Sequence, residues 1–263
     1  MLDSLRLYAR YIGISIRSQM EYRASFVMLS IANFVGTGIE FVAVWALFDR
    51  FKLLQGWTLP EAAMLYGMVN VAFAVAEGIG RGFDVFPYMV KSGDFDRLLL
   101  RPRSTVLQLL GQEFQLMRIG RLAQGLAVLL WSASALGLAW TPAKLALLVG
   151  SILGGACLFA GLFVIQATIA FWTIESLELM NTVTYGGVET AQFPLSIYRP
   201  WFRTFFTVVV PLACINYLPS LAILGRGGAG LTHWLSPLVG LGFLIVMLQF
   251  WKVGVRHYCS TGS

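Results

Sequence analysis

KLALLVGSILGGACLFAGLFVIQATIAFW, residues 144–172, carries no charge after its first residue. A hydrocarbon core about 30 Å thick is crossed by about 20 mostly apolar helical residues, so this stretch reads as a transmembrane helix. Four more stretches read the same way: Phe26–Phe48, Glu61–Gly80, Val106–Trp140 with its most apolar part after Arg121, and His233–Val255. Backbone groups within lipid must be satisfied inside their own segment, and no short alternating pattern of a membrane barrel occurs. The class expected is an all-α polytopic membrane protein.

Composition agrees. Of 263 residues, 57% are hydrophobic and 12% charged, and mean hydropathy is +0.73, whereas a soluble domain carries about 25% charged residues. A soluble enzyme and a disordered chain are both excluded. The 19 Lys/Arg against 13 Asp/Glu are therefore read by position rather than as a nucleic-acid footprint. Cys157, Cys214 and Cys259 are widely spaced and have no ligand-like pairing with histidine, so they read as packing residues.

Residues 1–25 are too polar and arginine-rich for a cleaved secretory signal and are expected to remain. Arg6, Arg10 and Arg17 fall in one arc, with Leu5, Tyr8, Ile12 and Ile16 on a broad apolar face, which describes an interfacial helix. With the N-terminus cytoplasmic, residues 1–25, the loop 81–104 and the tail after Trp251 hold eleven Lys/Arg, against Arg50, Lys52, Lys144 and Arg226 on the other side. That asymmetry supports both termini inside and an even number of crossings. Arg118, Arg121, Arg199 and Arg203 are left without a side.

Loop 81–104 exceeds the usual 2–8 residues of a helix connection. Within it Gly93 breaks the chain, Asp94 caps or charges a short helix, Phe95, Leu98 and Leu99 share a face, and Pro102 ends it. With Asp96, Arg97 and Arg101 beside that face, the helix suits a groove in a soluble partner. The plainer reading lays the same face on lipid.

SGDFDRLLLRPRS, in its place between the second and third spans, resembles the cytoplasmic loop of type-2 ATP-binding cassette (ABC) transporter permeases. There a stretch of the form G-x-[FL]-[DE]-x-L-L-x-x-P is the coupling helix that seats in the ATPase. Phe193–Gly225 and Val253–Ser263 resemble the same family, in the branch whose permeases are separate chains of this length. The resemblance implies a coupling role for Gly93, Asp94, Phe95, Asp96, Arg97, Leu98, Leu99, Arg101 and Pro102. It also implies a half-transporter: two permease chains, identical or paralogous, with two cytoplasmic ATPase subunits, exporting substrate across a prokaryotic cytoplasmic membrane. No G-x-x-x-x-G-K-[ST] phosphate loop occurs, and the glycine cluster 225–230 reads as a turn. The chain itself is therefore expected to hold no cofactor, with ATP and Mg²⁺ on the partner.

Thr173–Gly230 admits two readings. Hydropathy alone makes Thr204–Leu224 a fifth span. The resemblance makes 173–192 a short polar fifth span and 201–224 a re-entrant hairpin, with Pro194, Pro200, Pro211 and Pro219 along it. The second is preferred because Pro211 and Pro219 interrupt the apolar run, and irregular backbone at membrane depth is tolerated where protein surrounds it. The organisation expected is an interfacial helix 1–25, one six-span domain 26–256 and a cytoplasmic tail 257–263.

Carboxylates at membrane depth avoid lipid. Glu175, Glu178, Thr182 and Glu189 fall in one arc, and with Asn181, Glu40, Gln108 and Gln112 they are candidates for a pathway suited to cationic or amphiphilic cargo. Pairing of this arc with Arg118 or Arg121 of the third span and its exposure in an aqueous loop are the structural alternatives. Gln108, Gln112 and Gln115 read as one non-lipid helix face, Asn33, Asn70 and Glu77 as interior positions, and Gly36, Gly150 and Gly154 as close helix contacts. An intramembrane enzyme lacks a matched nucleophile–base or metal set, since His233 and His257 lie at opposite ends of the last span. A self-sufficient carrier or channel is the other rival, and no internal repeat favours it.

Overall fold

The computed structural model describes residues 2–173, 177–226 and 230–259. Among the described residues the only extended pairing is an isolated bridge between Leu54 and Trp57. Helix α1 (Leu2–Glu21) meets α2 (Arg23–Phe51) at Tyr22, whose φ −108° and ψ 59° break the helix. The N-terminal helix is thus a separate element, as its arginine-rich face suggests.

Helix α3 (Leu59–Asp84) begins with a capping box: the Thr58 amide donates to Glu61 Oε2 at 2.8 Å, and Pro60 takes a first-turn position where no amide is needed. Helices α4 (Phe86–Ser92) and α5 (Asp94–Leu99) are separated by Gly93, whose φ of 76° is left-handed. Helix α8 (Pro142–Ile169) is capped by Thr141, which accepts from the Lys144 amide.

α3 is the axis of the molecule. Its apolar stretch is 89% buried, against 11% for α2 and 17% for α13 (Leu238–His257), so the outer helices turn their apolar faces to the surroundings. α7 (Ile119–Ala135) packs on one side of α3 and α8 on the other, with α2 outside α7 and α13 outside α8. α8 and α13 approach closely at Gly154 and Gly240, where a Cβ on Gly154 would overlap the Pro237 carbonyl and a Cβ on Gly240 the Gly154 carbonyl. Gly36 and Gly150, expected at similar contacts, face open space.

Among the described residues four helices are long and apolar enough to span a membrane, and five if one bent pair counts as a single span. The third expected span is not continuous. After α6 (Thr105–Gln112), Glu113 and Gln115 are extended, and a 3₁₀ turn at Leu116–Arg118 leads into α7. The freed groups find partners elsewhere: the Gln115 amide donates to Gly78 O at 3.3 Å, Ser15 of α1 donates to Phe114 O at 3.1 Å, and the Leu116 amide donates to Gln19 Oε1 at 3.0 Å. The last expected span is also divided, into α12 (Leu231–Leu235) and α13, at Ser236–Pro237.

Between α8 and α12 the chain forms α9 (Leu177–Ala191), a 3₁₀ turn after Pro194, and α10 (Pro200–Thr204) with Pro200 in its first turn. Two π-turns, Phe205–Val209 and Ala213–Tyr217, flank Pro211 and lead into α11 (Leu218–Leu224), with Pro219 in its first turn. The two limbs meet at 84°. Phe193 packs with Leu59 around one end of α3, and Arg226 reaches Gly56 O and Glu61 at that same end. The intervening chain therefore leaves and returns at the same end of α3, with the bend between its two limbs.

Candidate functional site

The α4–α5 loop is turned by two local devices. Gly93 lets the chain reverse between the helices, and Ser92 Oγ donates to Asp94 Oδ2 at 2.7 Å to fix the start of α5. Gln108 of α6 then reaches back: its Nε2 donates to Leu98 O at 3.2 Å and Arg103 O at 3.1 Å, closing the C-terminal end of α5. Gln108 also borders the cavity described below.

The face of α5 is reversed from the sequence expectation. Phe95 is 0% exposed and Leu98 7%, both turned into the chain's own core. Phe95 lies 4.9 Å from Phe86, 5.5 Å from Phe171 and 4.9 Å from Tyr258, centroid to centroid. What α5 presents outward is Leu100, 85% exposed, with Leu99, Asp94 and Arg97 beside it. Arg101 and Pro102 continue this surface, and Asp96 lies at the Tyr258 side. Burial first, and the Asp96 carboxylate second, push the Tyr258 phenol up to about 12, so it stays protonated at ordinary pH.

A second polar assembly lies inside the helices. Glu77, 2% exposed, meets Arg118 at 3.2 Å and Arg121 at 3.6 Å. Arg118 also donates to Gln115 Oε1 at 2.9 Å and Asn33 Oδ1 at 3.2 Å, and Arg121 stacks over Phe73 at 5.1 Å. Both arginines thus form their ion pairs with Glu77. The break at 113 also takes Gln115 off the helix carrying Gln108 and Gln112, so the three do not form one face. Asp84 pairs with Arg81 and accepts from Gln166 Nε2 at 3.0 Å, tying the end of α3 to α8.

The remaining pathway candidates are only partly brought together. Glu40 is half-buried and accepts from Gln192 Nε2 at 3.5 Å, while Glu178, Glu189 and Gln112 are exposed on the chain. Asn181 is half-buried, and its Oδ1 lacks a hydrogen-bond partner. Glu175 lies outside the described residues. At the opposite end from α5, Arg226 bridges to Glu61 at 2.7 Å and stacks on Trp57 at 4.8 Å, a clasp that sequence reading missed. A cavity of about 900 Å³ opens beside α5, bounded by α1, α6 and residues 113–117. Among the described residues no cluster of three or more His, Cys, Asp or Glu is placed to hold a metal ion.

A short helix, exposed on one face and set on a buried aromatic base on the other, thus lies between the second and third apolar stretches of the chain. A family model described as ABC-2 family transporter protein matches residues 34–262. The chain belongs to the ABC-2 transporter family. As an ABC-2 permease it is the multi-pass membrane component of a transporter that works with ABC ATPase subunits. No curated protein and no solved structure matches it.

Sequence reading had a usable signal for the Glu77 assembly: three charges inside apolar stretches must find one another, because each is costly alone at membrane depth. For the aromatic base of α5 it had none.

Proposed function

We propose that this ABC-2 permease is one half of the membrane domain of an ATP-driven exporter in a prokaryotic cytoplasmic membrane. Both termini and α5 lie on the ATPase side, and a second permease chain, identical or paralogous, completes the domain. ATP and Mg²⁺ are held by the partner subunits. α2, α3, α6–α7, α8, α9 and α13 supply six crossings, with the 200–224 hairpin re-entering from the far side. This count is consistent with α5 and the Glu61–Arg226 clasp at opposite ends of α3.

The observation carrying the reading is the α5 surface: Leu99 and Leu100 project outward beside Arg97, from a helix whose other face is anchored by Phe95 and Leu98. An exposed leucine pair on a rigid base suits an apolar groove in a soluble subunit, with acidic side chains at its rim for the arginines. Glu40 on α2 and Glu178 and Glu189 on α9 are carboxylates within or beside proposed spans and at least partly accessible, which favours cationic or amphiphilic cargo passing between two permease chains.

The contact test follows from the facing of α5. Leu99→Asp with Leu100→Asp should leave membrane insertion intact and lower co-purification of the ATPase at least about tenfold, the scale of losing an interface anchor. Full retention of the ATPase by that variant would contradict the assignment.

A further inference from the structure

Resting on that reading, we infer that Trp251 of α13 is the positioning residue through which movement of α5 reaches the last span. α5 has only six residues, too short to act as a stiff rod by itself. Its stiffness comes from what Phe95 is set into.

Trp251, 1% exposed, stands at the centre of that socket. Its ring lies 5.2 Å from Phe83 at the end of α3, 4.9 Å from Phe86 of α4, 6.2 Å from Phe95 of α5 and 5.2 Å from Phe171 just past α8. The indole Nε1 donates to Thr105 Oγ1 at 3.1 Å, which adds the start of α6. Six elements thus meet on one side chain. Most of these ring pairs are edge-to-face, the arrangement that aromatic quadrupoles favour.

The socket is closed from behind by the chain's own end. Tyr258, immediately after α13, packs on both Phe95 and Phe171. Gly254 allows α13 to approach the end of α8 so closely that a Cβ there would meet the Phe171 ring at 2.6 Å. Packed interiors transmit displacement rather than absorb it. A push on Leu99 and Leu100 therefore moves the inner ends of α8 and α13 with α5, and α13 carries it along its length. α2 and α7 are grouped around a separate apolar cluster of Val44, Phe48, Tyr66 and Val128, which shares no member with the socket.

The test uses the full permease–ATPase complex in lipid nanodiscs, with Cys157, Cys214 and Cys259 replaced by serine and a reporter cysteine at Leu231, near the outer end of the last span. In the parent complex, ATP should change the maleimide labelling rate at that reporter. Trp251→Leu should abolish the change while the ATPase still co-purifies and hydrolyses ATP, and Trp251→Phe should keep it. Trp131→Leu, on α7 and outside the socket, should also keep it. An unchanged response in Trp251→Leu, or no response in the parent complex with ATPase bound and hydrolysing, overturns the inference.

Should Trp251→Leu fail to assemble, spin labels on cysteines placed at Lys91, at the end of α4 whose Phe86 is part of the socket, and at Lys252 decide, in the chain that keeps Trp251 and carries serine at 157, 214 and 259. Their separation should be the same with and without ATP, and a change overturns the inference. Failure of any ATPase to bind the parent permease would instead bring down the proposed function, an outcome distinct from all of these.

Discussion

Glu77 shows how a single side chain constrains this fold. It is held between Arg118 and Arg121 at a depth where water cannot screen the pair, and removing one partner from a buried ion pair costs about 3–5 kcal/mol. Glu77→Leu should therefore lower the thermal unfolding midpoint of the detergent-solubilised chain clearly, while Glu178→Gln at an exposed site should not. Adding Arg118→Met and Arg121→Leu to Glu77→Leu should recover part of the loss, because no charge is then stranded. A melting curve of Glu77→Leu that overlays the parent's would show that the triad holds nothing together. Phe95 makes a different point. Its i, i+3, i+4 partners were legible as one face, but periodicity states only that a face exists and not whether it meets another chain or the molecule's own core.

At the scale of elements, the broken helices separate what sequence could tell from what it could not. The bend at the centre of the proposed hairpin was foreseeable because Pro211 lacks an amide and interrupts an apolar run, and the 84° angle falls there. The break at residues 113–115 was not foreseeable. It contains no proline, and its freed backbone is satisfied by Ser15, Gln19 and Gly78, partners far away in sequence. α5 was legible in existence through Gly93 and Pro102, and illegible in orientation because its socket is assembled from α3, α4, α8, α13 and the tail. The hairpin's side is directly testable. Ser196→Cys, in the turn between α9 and α10, should react with a membrane-impermeant maleimide added to intact cells. Reaction only after the cells are opened would place that turn inside and restore the alternative in which 204–224 crosses.

For the whole molecule, the layers around α3 divide the work. One end carries α5, the aromatic socket and the end of the chain's last helix, and the other carries the Glu61–Arg226 clasp and the mouth of the proposed hairpin. Apolar area on α2 and α13 is left turned outward, as lipid or a second permease requires. The central claim is that this chain moves solute only when driven through α5 by a nucleotide-hydrolysing partner. The most direct measurement is uptake of a fluorescent amphiphilic cation, ethidium, into inside-out proteoliposomes containing the permease with or without its ATPase. Uptake against a gradient should require the ATPase and ATP together and vanish in Leu99→Asp/Leu100→Asp. Uphill movement by the permease alone would contradict the account.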